Sequence, residues 1–127
     1  MDFKDFLEEL RKLKLPNDQY AIFGSGPLAV RDIREAEDLD IIVTEGLYKE
    51  LESKYRKEGC GLVFGNIEII SPQASVVKNP EELIKRAEDI EGFEFVLLKD
   101  IVEWKKEMGR EKDLKDIELV EEYLKNV

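Results

Sequence analysis

Histidine is absent from this chain of 127 residues, and cysteine occurs once, as Cys60. Those two gaps exclude an internal disulfide, a zinc site of the usual Cys/His type, and Ser–His or Cys–His nucleophilic pairs. Any metal chemistry must therefore run through oxygen ligands. Long apolar runs are missing as well, and none approaches the roughly 20 residues of a membrane-crossing helix. The opening Met1-Asp2-Phe3-Lys4-Asp5 lacks the basic-then-apolar order of a secretory signal, so the expected location is the cytoplasm. Low-complexity tracts, linkers and internal repeats are also lacking, which leaves one domain over residues 1–127.

Positive charge is in deficit. Twenty Lys and Arg against thirty Asp and Glu give a formal net charge of −10. Such a balance repels a polyanion and argues against a broad nucleic-acid-binding surface, whereas a small nucleotide arriving with Mg²⁺ remains compatible. Hydrophobic residues make up 43% of the chain and charged ones 39%, enough apolar surface for a core and too much for disorder.

Periodicity outlines the elements. Phe3, Phe6, Leu7, Leu10 and Leu13 recur at helical spacing until Pro16-Asn17-Asp18, which reads as a helix lying as a lid on a sheet. The short apolar run Tyr20 to Phe23 is a strand ending in the turn Gly24-Ser25-Gly26-Pro27. Pro27 suits the first turn of a helix, which is expected to end before Asp38. Leu39 to Val43 is the second strand, ended near Gly46. Leu47, Tyr48, Leu51 and Tyr55 trace the stripe of a helix whose solvated side includes Arg56 and Lys57. Leu62-Val63-Phe64 and Ile67-Glu68-Ile69-Ile70 flank Gly65-Asn66 as a hairpin. A helix near Pro80, a short strand over residues 93–98 and two helices over 100–108 and 113–125 complete the chain. In the last helix Leu114, Ile117, Val120 and Leu124 form the apolar face. Strands interleaved with helices predict an α/β or α+β protein, a mixed sheet flanked by helices.

The chemistry concentrates early. Successive side chains of a strand point to opposite faces, so Asp38 and Asp40 share one face while Leu39 and Ile41 take the other. Two carboxylates so placed can hold Mg²⁺. A little upstream stands the small-residue turn of Phe23-Gly24-Ser25.

Together, Phe23-Gly24-Ser25 and Asp38-Leu39-Asp40-Ile41 resemble the signature of the nucleotidyltransferase superfamily, the fold of DNA polymerase β. The resemblance implies a nucleotidyltransferase-like mixed sheet and a third carboxylate on a later strand, for which Glu68 is the best match. It further implies two Mg²⁺ or Mn²⁺ ions held by Asp38, Asp40 and Glu68, with a nucleoside triphosphate as substrate. Gly24, Ser25 and Gly26 would then approach its phosphates at a helix amino end, and Glu68 could help deprotonate the acceptor. Arg31, Arg110 and Lys112 are the candidates for offsetting remaining phosphate charge. Trp104-Lys105, Gly109-Arg110, Lys112-Asp113 and Asp116-Ile117 look like the carboxy-terminal pattern of many small predicted nucleotidyltransferases, so the likeness covers residues 20–127. A protein partner could supply the acceptor.

Plainer readings stand beside these. Asp38 and Asp40 can be a solvated strand edge, Ser25 a helix cap, and Arg31, Arg110 and Lys112 solvated charges or ion-pair partners. Trp104 reads as core or rim packing and Cys60 as an inert small residue. Two other functions also fit. One is a catalytically silent module of the same fold, such as an antitoxin partner. The other is a Rossmann-like dinucleotide site, because Gly24-Ser25-Gly26-Pro27-Leu28-Ala29 satisfies GxGxxA and Glu45 lies where a ribose-binding acid would.

Overall fold

The computed structural model describes residues 2–127. Among them, six helices and seven strands form a mixed α/β fold. In chain order these are α1 (Phe3–Lys12), β1 (Tyr20–Phe23), α2 (Gly26–Ala29), β2 (Leu39–Val43), α3 (Glu45–Glu52), β3 (Arg56–Glu58), β4 (Gly61–Phe64), β5 (Ile67–Ile70), α4 (Pro80–Lys85), β6 (Glu88–Ile90), β7 (Phe93–Phe95), α5 (Leu98–Met108) and α6 (Glu111–Lys125). The strands make one sheet in the order β3-β4-β5-β2-β1-β7-β6. No helix among the described residues is long and apolar enough to cross a membrane.

Strand alternation splits the core into two layers. Tyr20 and Ile22 of β1, Leu39, Ile41 and Val43 of β2, and Ile67 and Ile69 of β5 pack on one face with Phe6, Leu7 and Leu10 of α1 and Leu47 and Leu51 of α3. Helix α1 is thus the expected lid. Ala21, Phe23 and Ile42 point to the other face, against Leu28 of α2, Ile84 of α4, Ile101 of α5 and Val120 of α6. Asp40 and Glu68, out of step with the first set, belong to this second face.

Pairing fixes which residues stand side by side. Strand β2 runs antiparallel to β1, with Asp40 opposite Phe23, and parallel to β5, with Asp40 opposite Glu68. The hairpin expected at Gly65-Asn66 joins β4 to β5, with Phe64 opposite Ile67. Its turn is tied to α1, because Glu9 accepts hydrogen bonds from the Asn66 backbone N–H at 3.0 Å and from Asn66 Nδ2 at 2.7 Å. Asn66 O in turn accepts from Leu39 N at 3.1 Å, which joins the hairpin to the start of β2.

Several expectations need correcting. The helix after Pro27 is a single turn, Gly26–Ala29, and the chain then bends through Asp32 with φ of 59°. Helix α3 stops at Glu52, and Arg56 and Lys57 lie in the exposed edge strand β3. A charged strand of this kind protects a sheet edge against further pairing. Strand β6, Glu88–Ile90, was not predicted, and it pairs with β7 as the opposite edge. On α6, Leu114 and Leu124 are exposed, whereas the buried face carries Asp113, Asp116, Ile117 and Val120. The Rossmann-like alternative fails on topology, since its glycine turn must link parallel strands and β1 and β2 are antiparallel. Glu45, its ribose acid, starts α3 and hydrogen-bonds Gln73.

Two glycines answer to different constraints. At Gly26 a Cβ would overlap the buried Ile22 side chain, whereas at Gly46, inside α3, nothing lies within 4 Å. Gly26→Ala is expected to cost about 1–3 kcal/mol, an overpacking penalty. Gly46→Ala is expected to stabilise by up to about 1 kcal/mol through helix propensity. Urea unfolding of both variants checks the contrast; equal effects would contradict it.

Candidate functional site

A cavity of about 630 Å³ opens on the second face of the sheet. Asp38, Asp40 and Glu68 form its acidic side, and each offers a carboxylate oxygen within 4.8 Å of the others. Strand β2 aims Asp40 inward, the parallel register sets Glu68 next to it on β5, and Asp38 sits just before β2. The three predicted carboxylates are therefore brought together.

Asp40 is under electrostatic stress. Its Oδ1 is buried and has no hydrogen-bond partner. Burial first, then the charges of Asp38 and Glu68 and a hydrogen bond to Glu68 that only a protonated carboxyl can make, push its carboxyl up to about 7, with Lys112 pulling the other way. A desolvated carboxylate beside two others favours either a proton or a cation. The residues fit a divalent metal, because an orphaned oxygen and two flanking carboxylates are hard donors of the kind Mg²⁺ prefers.

The turn next to the acids is shaped by Gly24, which adopts φ of 64°. A Cβ there would lie 3.0 Å from Asp40 Oδ2, so glycine keeps the space beside that oxygen open. Gly24 and Ser25 both line the cavity. The Ser25 hydroxyl makes no capping bond, although its carbonyl accepts from Leu28 N and Ala29 N. Gly26 is buried against β1 instead, so its smallness serves packing rather than a phosphate.

Basic residues divide in the same way. Lys112 and Arg110 line the cavity, joined by Lys115 and Arg34, which the sequence reading missed. Arg31 does not join them: its guanidinium donates to Pro27 O at 2.8 Å and pairs with Glu88 of β6 at 3.2 Å. No family model, curated protein or solved structure matches the chain. Its own residues must carry the functional reading.

Behind the basic wall lies a buried ion network. Lys105 Nζ reaches Asp116 Oδ2 at 2.9 Å and Asp113 Oδ1 at 3.6 Å, all three side chains being almost wholly buried. Arg110 clasps Asp113 through Nε at 2.6 Å and Nη2 at 3.1 Å, and Arg34 Nε lies 2.9 Å from Asp116 Oδ1. Burial works to raise the Asp113 carboxyl, but the hydrogen bonds from Arg110 and the charge of Lys105 outweigh it and hold it below its ordinary range. The network ties α5 to α6 and, through Arg34, to the loop carrying Asp38. Trp104 completes this wall, its indole N–H donating to Val76 O at 2.8 Å and its ring 4.5 Å from that of Phe23. That is the packing role expected of it. Cys60, read as inert, is exposed and lines the cavity.

Two outcomes follow from these charges. A raised folded-state pKa means that the contribution of Asp40 to stability is full below about pH 4 and lost as pH rises through about 7. Without metal, urea unfolding should show a decline of up to a few kcal/mol over that window, which Asp40→Asn removes; an unchanged slope in the variant would count against a stressed Asp40. Lys105→Met should cost roughly 1.5–3 kcal/mol, because it removes the buried cation shared by Asp113 and Asp116 and leaves them to Arg110 and Arg34 alone. A loss under 1 kcal/mol would show that the network contributes little.

Proposed function

We propose that this chain is a metal-dependent nucleotidyltransferase of the DNA polymerase β-like superfamily. It moves a nucleoside monophosphate from a nucleoside triphosphate to a hydroxyl or similar acceptor and releases pyrophosphate. The observation that carries the reading is Asp40, a desolvated carboxylate with an unpartnered oxygen, flanked by Asp38 and Glu68 and facing the open turn at Gly24.

In this reading Asp38, Asp40 and Glu68 hold two divalent ions, Mg²⁺ or Mn²⁺. Bound there, such ions neutralise the charge that grows on the attacking and leaving oxygens of an in-line displacement. The chain's own residues do the rest. Gly24 leaves room for a phosphate beside Asp40, and the Ser25 hydroxyl, uncommitted to capping, is available to orient it. Lys112, close enough to Asp40 to lower its proton affinity, supplies positive charge on the facing wall together with Arg110. Arg110 is held in place by Asp113. Glu68, exposed at the cavity rim, is positioned to take a proton from an entering acceptor hydroxyl.

The acidic surface suits an acceptor that is not a long polyanion, such as a protein side chain brought by a partner.

Binding can be tested before any acceptor is known. Mn²⁺ with nucleoside triphosphates should raise the melting temperature, since a ligand of the folded state stabilises it, and should slow alkylation of Cys60 at the cavity. Asp40→Asn should weaken the metal-dependent response at least about tenfold, since losing even a hydrogen-bond partner of a metal ligand costs about that much. Unchanged melting and unchanged Cys60 alkylation at millimolar Mn²⁺ and triphosphate would refute the proposal.

A further inference from the structure

Of the three carboxylates, Asp40 and Glu68 belong to strands and are set abreast by the pairing of β2 with β5, whereas Asp38 lies just before β2 begins. The ladder therefore does not account for its aim. The segment 34–38 that leads to it has little backbone support: among the described residues, no backbone–backbone hydrogen bond of a turn or loop involves it. Its far end is pinned by Leu39, which is fully buried and donates from its N–H to Asn66 O at 3.1 Å. The near end needs a fixed point too, because every unpinned residue keeps backbone freedom that a bound cation would have to remove.

Arg34 supplies that point. Its guanidinium donates through Nη1 to Glu35 O at 3.0 Å and lies with Nε 2.9 Å from Asp116 Oδ1. The first contact holds the loop's own backbone, and the second reaches across to α6. The contact with Asp116 is an ion pair without the direction of a hydrogen bond, so it rests on charge and proximity. Asp116 is a firm anchor, since it is buried and Lys105 Nζ stands 2.9 Å from its other oxygen. Arg34, Asp38 and Asp40 line the same cavity. By charge alone, a guanidinium beside a cation site works against the cation, so its place there calls for another contribution.

We propose that Arg34 is a positioning residue of the metal site. By clamping the loop to Asp116 it holds Asp38 toward Asp40 and Glu68, which makes the buried network of α5 and α6 and the carboxylate triad one unit. The inference rests on the metal-binding part of the reading above and adds to it a residue that acts through Asp38. Preorganisation of this kind raises affinity by reducing what must be ordered on binding.

The experiment measures Mn²⁺ affinity of the full chain without nucleotide, from the electron paramagnetic resonance signal of free Mn²⁺, for wild type, Arg34→Gln and Arg34→Lys. Circular dichroism and the metal-free melting temperature verify that each variant is folded. Lysine keeps the charge but not the planar fork that meets Glu35 O and Asp116 together. Both variants should bind Mn²⁺ about tenfold more weakly, the low end of the effect of losing a group that orients a metal ligand. A mere neighbouring charge predicts otherwise, with Arg34→Gln tightening binding and Arg34→Lys leaving it unchanged. Either of those results would overturn the proposal while leaving the metal site standing. Should Arg34→Gln prove unfolded, Arg34→Lys decides alone. A wild type that binds no Mn²⁺ at millimolar concentration would overturn both.

Discussion

The register of three strands, β1, β2 and β5, is the constraint on which the site depends. It puts Phe23, Asp40 and Glu68 abreast, and the alternation of β2 sends Asp40 into the cavity while Leu39 and Ile41 fill the opposite core layer. A slip of one residue would bury the hydrophobic set on the wrong face, so the packing of Leu39, Ile41, Ile67 and Ile69 holds the carboxylates together against their own repulsion. The stress on Asp40 is thus sustained by core packing elsewhere. Glu9 and Asn66 add a polar tie at the end of the same two strands.

Opposite the acids, charge is arranged in the reverse sense. Lys105, Arg110 and Arg34 surround Asp113 and Asp116 in a buried network that anchors the α5–α6 pair over the sheet. Buried ion pairs contribute little net stability compared with well-packed apolar residues, but they fix geometry, since each partner is costly to leave alone. The consequence here is a wall held at a fixed distance from the carboxylates, with Lys112 and Lys115 on its surface. A protein with a formal charge of −10 thereby keeps local positive charge facing its most acidic cleft.

The parts of the fold legible in the sequence were those with strong local patterns. The β-branched run Leu39 to Val43, the Gly65-Asn66 link and the stripe of α1 each reappear in the structure with close boundaries. The edge strands β3 and β6 were missed because Arg-Lys-Glu and Glu-Asp-Ile carry no alternation, and their pairing is decided by neighbours distant in sequence. The face of α6 was misjudged for a different reason. Asp113 and Asp116 lie at helical spacing from Ile117 and Val120, so that stripe already ran through two acids; treating charge as solvated hid them until Lys105 supplied a partner. The carboxylate triad was visible as residue types, whereas the convergence of Glu68 on Asp40 is a matter of strand pairing. Arg31 and Gly26 were misplaced because both sit near the turn in sequence but face Glu88 and Ile22.

If Asp38, Asp40 and Glu68 together hold divalent cations, as proposed, crystals soaked in Mn²⁺ will show it by anomalous scattering. A peak is expected within about 2.5 Å of an oxygen of Asp40, bridged to Asp38 or Glu68, the range of hard-cation bonds to oxygen. Manganese bound only elsewhere on this acidic surface, with the three carboxylates vacant or turned apart, would contradict it.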